Sequence, residues 1–169
     1  MNVTMTDIKK LREMTGAGLS DCKKALAESE DMDGAVAYLR KKGQAVAAKR
    51  SDREAAEGCV LVKAVDGFGA IIALKCETDF VANNADFVAL TQEILDAAVA
   101  NKCKTLDEVK ALPMGDGTVA DAVTARSGIT GEKMELDGYS YIESDNICTY
   151  NHMNRNGLCA MVALSAPVA

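Results

Sequence analysis

The chain has 169 residues, a length that excludes a large multidomain enzyme. Hydrophobic residues make up 49% and charged residues 26%, which argues against disorder, and the net charge of −6 argues against a surface built to bind phosphate throughout. The charge is uneven, because residues 1–57 hold 11 basic and 10 acidic side chains whereas the remainder holds 8 and 15. We therefore expect two surfaces with different roles.

The sequence offers no segment suited to membrane insertion or export. The longest apolar run, at 158–164, has seven residues, whereas a spanning helix needs about 20. Residues 1–6 lack the basic and apolar regions of a signal peptide. Six cysteines occur without a C-x-x-C pair. These features predict a cytoplasmic protein with reduced thiols and no membrane association.

Residues 6–41 predict three short amphipathic helices. Thr6 is expected to cap the first helix, because a threonine hydroxyl can accept a hydrogen bond from a free backbone N–H of the first turn. Gly16-Ala17-Gly18 is expected to end that helix, and the second is expected to begin near Leu19.

The third helix is expected to begin at Asp31 or Asp33 and to end at Gly43. Arg40-Lys41-Lys42 supports that end, because cations are favourable near the negative end of the helix dipole and glycine commonly follows. The resulting domain prediction is a three-helix module at 1–41 and a charged, Ala-rich, partly helical connector at 42–57.

From Gly58 onward the apolar pattern becomes that of strands. Strands are predicted at 59–65 and 70–76 around the turn Asp66-Gly67-Phe68-Gly69, and Asn83 or Asn84 is expected to cap the next helix. The remaining predicted elements are helices at 105–112 and 119–126, with Gly128 beyond the second, and strands at 133–136, 139–142, 147–153 and 158–164. We predict an α+β fold class, with an antiparallel-sheet-plus-helix core over 58–169.

The hairpins predicted at 59–76 and 147–164 are similar enough to indicate a loose internal duplication. The first is followed by an amphipathic helix, whereas residues 165–169 are too few to cover the second: Val168 is small and Pro167 disfavours further strand pairing. An uncovered apolar sheet face favours association with another chain. We therefore expect either a core that is incomplete at its C-terminus or a homodimer.

Catalytic and cofactor chemistry is poorly supported by the residue types present. The single histidine, His152, would have to serve any nucleophilic dyad or zinc site, with Cys148 or Cys159 nearby in sequence, and a structural role is favoured for all three. Gly67-Phe68-Gly69 lacks the lysine and helix that follow in a phosphate-binding loop. We predict no enzymatic activity, no metal and no cofactor.

Two segments of the sequence are candidate binding sites for another molecule. The stretch 40–53 holds six basic residues and one acidic residue and is an alternative site for RNA or the ribosome, although without interleaved aromatic residues a solvated connector is favoured. Phe80 follows Asp79 at a predicted strand end. It is either exposed and in need of a partner or turned under the next helix with Phe87, and the pattern by itself favours the second alternative.

Two motifs taken together resemble the elongation factor Ts family. The N-terminal signature of that family is similar to Leu11-Arg12-Glu13-Met14-Thr15-Gly16-Ala17-Gly18-Leu19-Ser20-Asp21-Cys22-Lys23-Lys24-Ala25-Leu26. Its second signature is similar to Glu77-Thr78-Asp79-Phe80-Val81-Ala82, and Tyr38-Leu39-Arg40-Lys41-Lys42-Gly43 lies at the expected place between the two. The resemblance is close over about residues 5–90 and looser beyond.

The resemblance implies a guanine-nucleotide exchange factor for the translational GTPase elongation factor Tu, without catalytic chemistry or direct nucleic-acid binding. It implies a ubiquitin-associated-like module of three helices ahead of an α/β core. Displacement of the magnesium ion of the GTPase is assigned by the resemblance to Thr78, Asp79, Phe80 and Val81. Binding of the GTPase by the N-terminal module is assigned to Leu11, Arg12, Gly16, Gly18 and Leu19.

Overall fold

Capping residues and turn glycines divide residues 3–167, the part of the chain that the computed structural model describes, into helices and strands. The helices are Met5–Thr15 (α1), Leu19–Ala27 (α2), Met32–Lys49 (α3), Asp79–Ala82 (α4), Ala85–Ala100 (α5), Leu106–Ala111 (α6) and Val119–Thr130 (α7). The strands are Glu57–Val65 (β1), Phe68–Cys76 (β2), Pro113–Met114 (β3), Gly117–Thr118 (β4), Glu135–Glu143 (β5), Ile147–Asn151 (β6) and Cys159–Ala163 (β7). These elements confirm the predicted α+β class.

Side-chain and glycine caps set the ends of the N-terminal helices. Helix α1 begins after Thr4 rather than Thr6, because Thr4 and Asp7 form a capping box in which each side chain bonds the other residue's backbone N–H. It ends at Gly16, whose φ of 69° lies in the left-handed region that glycine adopts without strain. Asp31 caps α3 by accepting a hydrogen bond from the Gly34 N–H at 2.7 Å. The three helices share an apolar core formed by Ile8, Leu11, Ala17, Cys22, Ala25, Leu26 and Ala35.

Helix α3 does not end at Gly43, which corrects the predicted helix end. It continues to Lys49, and the compact units of the chain divide between Asp52 and Arg53. The first unit combines the described part of Met1–Asp52 with Thr124–Glu132, and the second holds Arg53–Val123 and the described part of Lys133–Ala169.

Glycine at position 43 serves close helix packing instead of helix termination. Gly43 is buried in the first unit against the C-terminal half of α7, and a Cβ added to Gly128 would lie 2.4 Å from the Gly43 Cα atom. For the same reason α7 extends through Gly128 to Thr130, whereas the sequence pattern ended it at residue 126. Two glycines that resemble helix stops therefore allow two helix backbones to meet.

Gly128→Ala is expected to destabilise the first unit. The added methyl group would overlap the Gly43 backbone, and overpacking of this kind costs about 1–3 kcal/mol, against a gain of about 0.5–1 kcal/mol in helix propensity. Thermal unfolding followed by circular dichroism should show a lower midpoint. Gly157→Ala is the control, since a Cβ there meets no atom within 4 Å. An unchanged midpoint for Gly128→Ala would contradict the close helix crossing.

The second unit is organised around a three-stranded antiparallel sheet with strand order β1-β2-β5. The connection between β1 and β2 is a two-residue turn at Asp66 and Gly67, with φ values of 49° and 77°, which is tighter than the four-residue turn that the sequence predicts. Helix α5 is capped by Asn84 and packs on this sheet through an apolar stripe. The buried residues of that stripe are Phe87, Leu90, Thr91, Ile94, Leu95, Ala98 and Val99.

Strand β5 is continuous across a stretch where the sequence predicts two separate strands. The strand begins at Glu135 rather than at residue 133, and it runs on without a break into the predicted strand 139–142 because an irregularity in the pairing opposite Ala73 and Leu74 accommodates the residues between them. Gly138 is needed at this point, since a Cβ there would lie 2.7 Å from the Ala73 Cβ atom.

The last hairpin, β6–β7, forms a separate two-stranded sheet beside β1. The Val60 N–H donates to the Asn156 carbonyl oxygen at 2.6 Å, and the Cys159 Sγ atom donates to the Val60 carbonyl oxygen at 3.1 Å. Its connection contains the 3₁₀ turn His152–Asn154 rather than a tight Asn-Gly turn, so the resemblance to the first hairpin does not extend to its geometry. Val168 and Ala169, included in the sequence argument about this hairpin, lie outside the described residues.

Candidate functional site

The 78–81 segment forms a single capped helical turn directly after the central strand. The Thr78 hydroxyl accepts a hydrogen bond from the Val81 N–H at 3.4 Å and so caps α4. The Asn83 N–H donates to the Asp79 carbonyl oxygen at 3.0 Å, and Asn84 then caps α5. The short turn is thus joined at one end to β2 and at the other to the long helix that covers the sheet.

Phe80 projects from this turn into solvent. Its exposed fraction is 85%, whereas Phe87 is 0% exposed and belongs to the core. Val81 and Ala82, on the opposite side of the turn, pack against the core cluster. The alternative in which Phe80 turns under the helix with Phe87 is therefore wrong. Burial of a phenylalanine stabilises by about 1.5–3 kcal/mol. A partner that buries this side chain would therefore gain that free energy on binding.

The N-terminal residues that the resemblance assigns to binding of the GTPase include one buried residue and four exposed residues. Leu11 is 0% exposed and packs in the core of the first unit, so it supports the helices and does not offer a contact surface. Arg12, Gly16, Gly18 and Leu19 are all exposed.

Met14 lies within the same motif and was not among the predicted contact residues, although its side chain is 52% exposed. Its exposure could have been predicted from the sequence, because residue 14 does not lie on the apolar face of the helix formed by Ile8, Leu11 and Thr15. Met14 and Leu19 are exposed large hydrophobic residues at the corner between α1 and α2. Such residues suit contact with an apolar surface of another protein.

The ring of His152 is hydrogen-bonded to a tyrosine, and most of the cysteine side chains are buried. The Tyr150 hydroxyl and the His152 Nδ1 atom share a hydrogen bond of 2.8 Å on the exposed side of the last hairpin. All six cysteines are free thiols, and only Cys148 among them is exposed. Burial raises the pKa of Cys59 to about 11 and also raises the pKa of Cys22, Cys103 and Cys159. A raised pKa disfavours the nucleophilic thiolate.

Alkylation by iodoacetamide near neutral pH is expected to modify Cys148 well before the buried thiols, because only its sulfur is accessible to solvent. Mass spectrometry should show a singly modified chain at early times, and Cys148→Ser should remove that product. If binding to a partner survives the single modification, thiol chemistry is not required. Rapid modification of Cys59 or Cys159 would contradict their burial.

No group of three or more His, Cys, Asp or Glu side chains within residues 3–167 is arranged to hold a metal ion. In that same range, no helix is both long enough and apolar enough to cross a bilayer.

The basic stretch 40–53 is divided between helix and loop and is partly neutralised. The Lys42 ammonium group lies 2.5 Å from the Asp21 carboxylate, and the Arg53 guanidinium lies 3.9 Å from the Glu77 carboxylate. Ion pairing of these two side chains reduces the positive charge that the stretch presents. The geometry therefore gives the alternative of RNA binding no added support.

The described residues form an α+β protein with side chains exposed for contact with a partner. It has an N-terminal helical unit, a sheet covered by a helix, and an exposed aromatic side chain on a capped turn. A family model described as Elongation factor TS matches residues 77–169. The chain belongs to the elongation factor Ts family, as the two sequence motifs predicted.

Three relatives that resemble this chain are each described as Elongation factor Ts. The protein of Bacteroides fragilis strain YCH46 is 74% identical over 99% of this chain and 51% of its own length. That of Bacteroides thetaiotaomicron is 70% identical over 99% of this chain and 51% of its own length. The Porphyromonas gingivalis strain W83 protein is 56% identical over 99% of this chain and 62% of its own length. The chain thus spans about half the length of the first two relatives.

Proposed function

We propose that this chain is a guanine-nucleotide exchange factor for elongation factor Tu and acts in the cytoplasm during translation elongation. The observation that carries the proposal is the 85% exposure of Phe80 on a capped turn whose other side is packed on the core. An exchange factor needs no catalytic residue or cofactor of its own. It needs a surface that fits the nucleotide-free GTPase better than the nucleotide-bound form, because linkage then weakens nucleotide binding by the same factor.

Two residues of the 78–81 segment hold the turn in place, and the other two are proposed to contact the GTPase. Thr78 caps the turn and Val81 packs on the sheet core, so both fix its position. Asp79 and Phe80 are exposed and supply charge and volume. Mg²⁺ requires near-ideal octahedral oxygen geometry. Insertion of a phenylalanine and a carboxylate beside that ion would disturb its coordination and favour release of GDP.

The N-terminal unit is proposed to bind the GTPase through the corner between α1 and α2. Leu19 and Met14 supply exposed apolar surface there, and Arg12 supplies a positive charge. Gly16 and Gly18 leave the backbone of the corner accessible, which allows a partner helix to approach closely. Leu11 contributes through the core that holds the corner in place.

Release of a fluorescent GDP analogue from purified elongation factor Tu tests the proposal. The 169-residue chain should accelerate release in proportion to its concentration and without hydrolysing the nucleotide. The full-length Bacteroides fragilis relative serves as the positive control in the same assay. Acceleration by the relative but not by this chain, at concentrations well above the amount of GTPase, would overturn the proposal.

Salt dependence separates the proposed function from RNA binding by residues 40–53. Binding that neutralises several phosphates weakens steeply as salt rises. Association with the GTPase through Phe80, Met14 and Leu19 should depend on salt only weakly, because apolar burial contributes most of it. Tight, salt-sensitive binding to ribosomal RNA in the absence of exchange activity would support the RNA alternative instead.

A further inference from the structure

We propose that Glu77 is a positioning residue that sets the direction of Phe80. This inference rests on the proposed exchange function and extends it to a residue that does not itself meet the GTPase. Glu77 lies between the last residue of β2, Cys76, and the cap of the turn, Thr78. Its side chain is directed back into the second unit, with an exposed fraction of 14%.

The Glu77 carboxylate joins three separate parts of the second unit. Its Oε1 atom accepts a hydrogen bond of 2.6 Å from the backbone N–H of Lys133, a residue 56 positions away in the chain. Its Oε2 atom lies 3.9 Å from the Arg53 guanidinium, at the beginning of the second unit. The base of the 78–81 segment is therefore tied to the loop before β5 as well as to β2.

The Glu77 hydrogen bond sets the direction of the Phe80 side chain because the phenylalanine is not held by packing contacts of its own. With 85% of its surface exposed, its direction is set by the backbone of α4. The Asn84 cap and α5 hold the far end of that turn, and Thr78 and Glu77 hold the near end. Loss of the Glu77 acceptor would free the near end while β2 and α5 keep their core contacts.

The hydrogen bond to Lys133 is expected to matter more than the ion pair with Arg53. A carboxylate that accepts from a backbone N–H in a largely buried setting forms a strong, charge-assisted hydrogen bond. The Arg53 side chain is 63% exposed at a separation of 3.9 Å. Exposed pairs with such geometry contribute little. Loss of the hydrogen bond to Lys133 and loss of the ion pair with Arg53 are therefore expected to have different effects.

Two substitutions at position 77 separate positioning from charge. Glu77→Ala removes the acceptor, whereas Glu77→Gln keeps a carbonyl oxygen at the same place. We expect Glu77→Ala to lower the maximal rate of GDP release from elongation factor Tu by about tenfold, as loss of a charge-assisted hydrogen bond implies. Glu77→Gln should stay within about threefold of the unchanged chain, because a neutral hydrogen bond replaces the charged one. Arg53→Ala and Glu93→Ala, the second an exposed glutamate on α5, are the matched controls and should leave the rate unchanged.

Solvent exchange of backbone amides, measured by NMR on the chain alone, provides a second readout. The N–H groups of Ala82, Asn83 and Asn84 donate to Thr78, Asp79 and Val81 carbonyl oxygens at 3.0–3.1 Å. In Glu77→Ala these amides should exchange about tenfold faster, in line with the lost constraint. The α5 amides and the thermal midpoint should change little by comparison.

The two readouts keep the proposals distinct. If the unchanged chain fails to accelerate GDP release while the turn amides respond to Glu77→Ala and recover in Glu77→Gln, the exchange function fails and the positioning of the turn stands. If Glu77→Gln matches Glu77→Ala in both assays, with equally slow GDP release and equally fast amide exchange, the positioning hydrogen bond is overturned. Slower GDP release that follows only the fraction of unfolded chain would overturn it as well.

Discussion

Phe80→Ala should slow GDP release from elongation factor Tu by about 10- to 100-fold, the factor that corresponds to losing about 1.5–3 kcal/mol of apolar burial at the proposed contact with the GTPase. Its thermal midpoint should remain at that of the unchanged chain, because the side chain is 85% exposed and makes no core contact. Exchange rates at saturating concentrations and calorimetric unfolding would be measured on the same preparations.

Phe87→Ala is the matched control seven residues along the chain. Phe87 is 0% exposed within the core of the second unit, and removal of a buried phenylalanine costs about 3–5 kcal/mol. This variant should lose stability and lose exchange only as far as it unfolds. A Phe80→Ala chain that unfolds early but exchanges normally per folded molecule would show that Phe80 is a core residue and would contradict the proposed insertion.

The second large effect is expected in the association state of the chain. The last hairpin presents an exposed apolar face that includes Tyr150, Leu158 and Val162. Contiguous exposed apolar surface on a sheet favours pairing with another chain. We therefore predict that the 169-residue chain forms a homodimer through this hairpin at micromolar concentration, as sedimentation velocity would show.

Charged substitutions on the hairpin face should abolish this association. In the double variant Leu158→Lys and Val162→Lys, two like charges would have to be buried in the dimer, which is strongly unfavourable. Val65→Lys is the control, since Val65 is an exposed valine at the end of β1 outside the hairpin. A monomeric unchanged chain with an ordered hairpin, or a dimer that survives both lysines, would contradict the prediction.

The sequence determined those features that depend on neighbouring residues. The caps formed by Asp31 and Asn84 were each one of two expected alternatives, because a short polar side chain satisfies free N–H groups within three residues of itself. Gly16 ends α1, and the turn at Asp66-Gly67 joins β1 to β2, for similarly local reasons. The family itself could be predicted from two motifs because each is long and the two occur in order.

Tertiary structure decided the features that depend on residues far apart in the chain. Gly43 carries the local signature of a helix end, yet α3 continues because Gly128 lies against it, 85 positions later. Phe80 and Phe87 have the same side chain in neighbouring turns, and only the packing of Val81 and Ala82 on the sheet directs one outward and the other inward. The partner of Glu77 is a backbone N–H group 56 residues away, which no residue type reveals. Backbone contacts of this kind carry no side-chain pattern, so the sequence identified the segment that bears the site while the fold determined its direction.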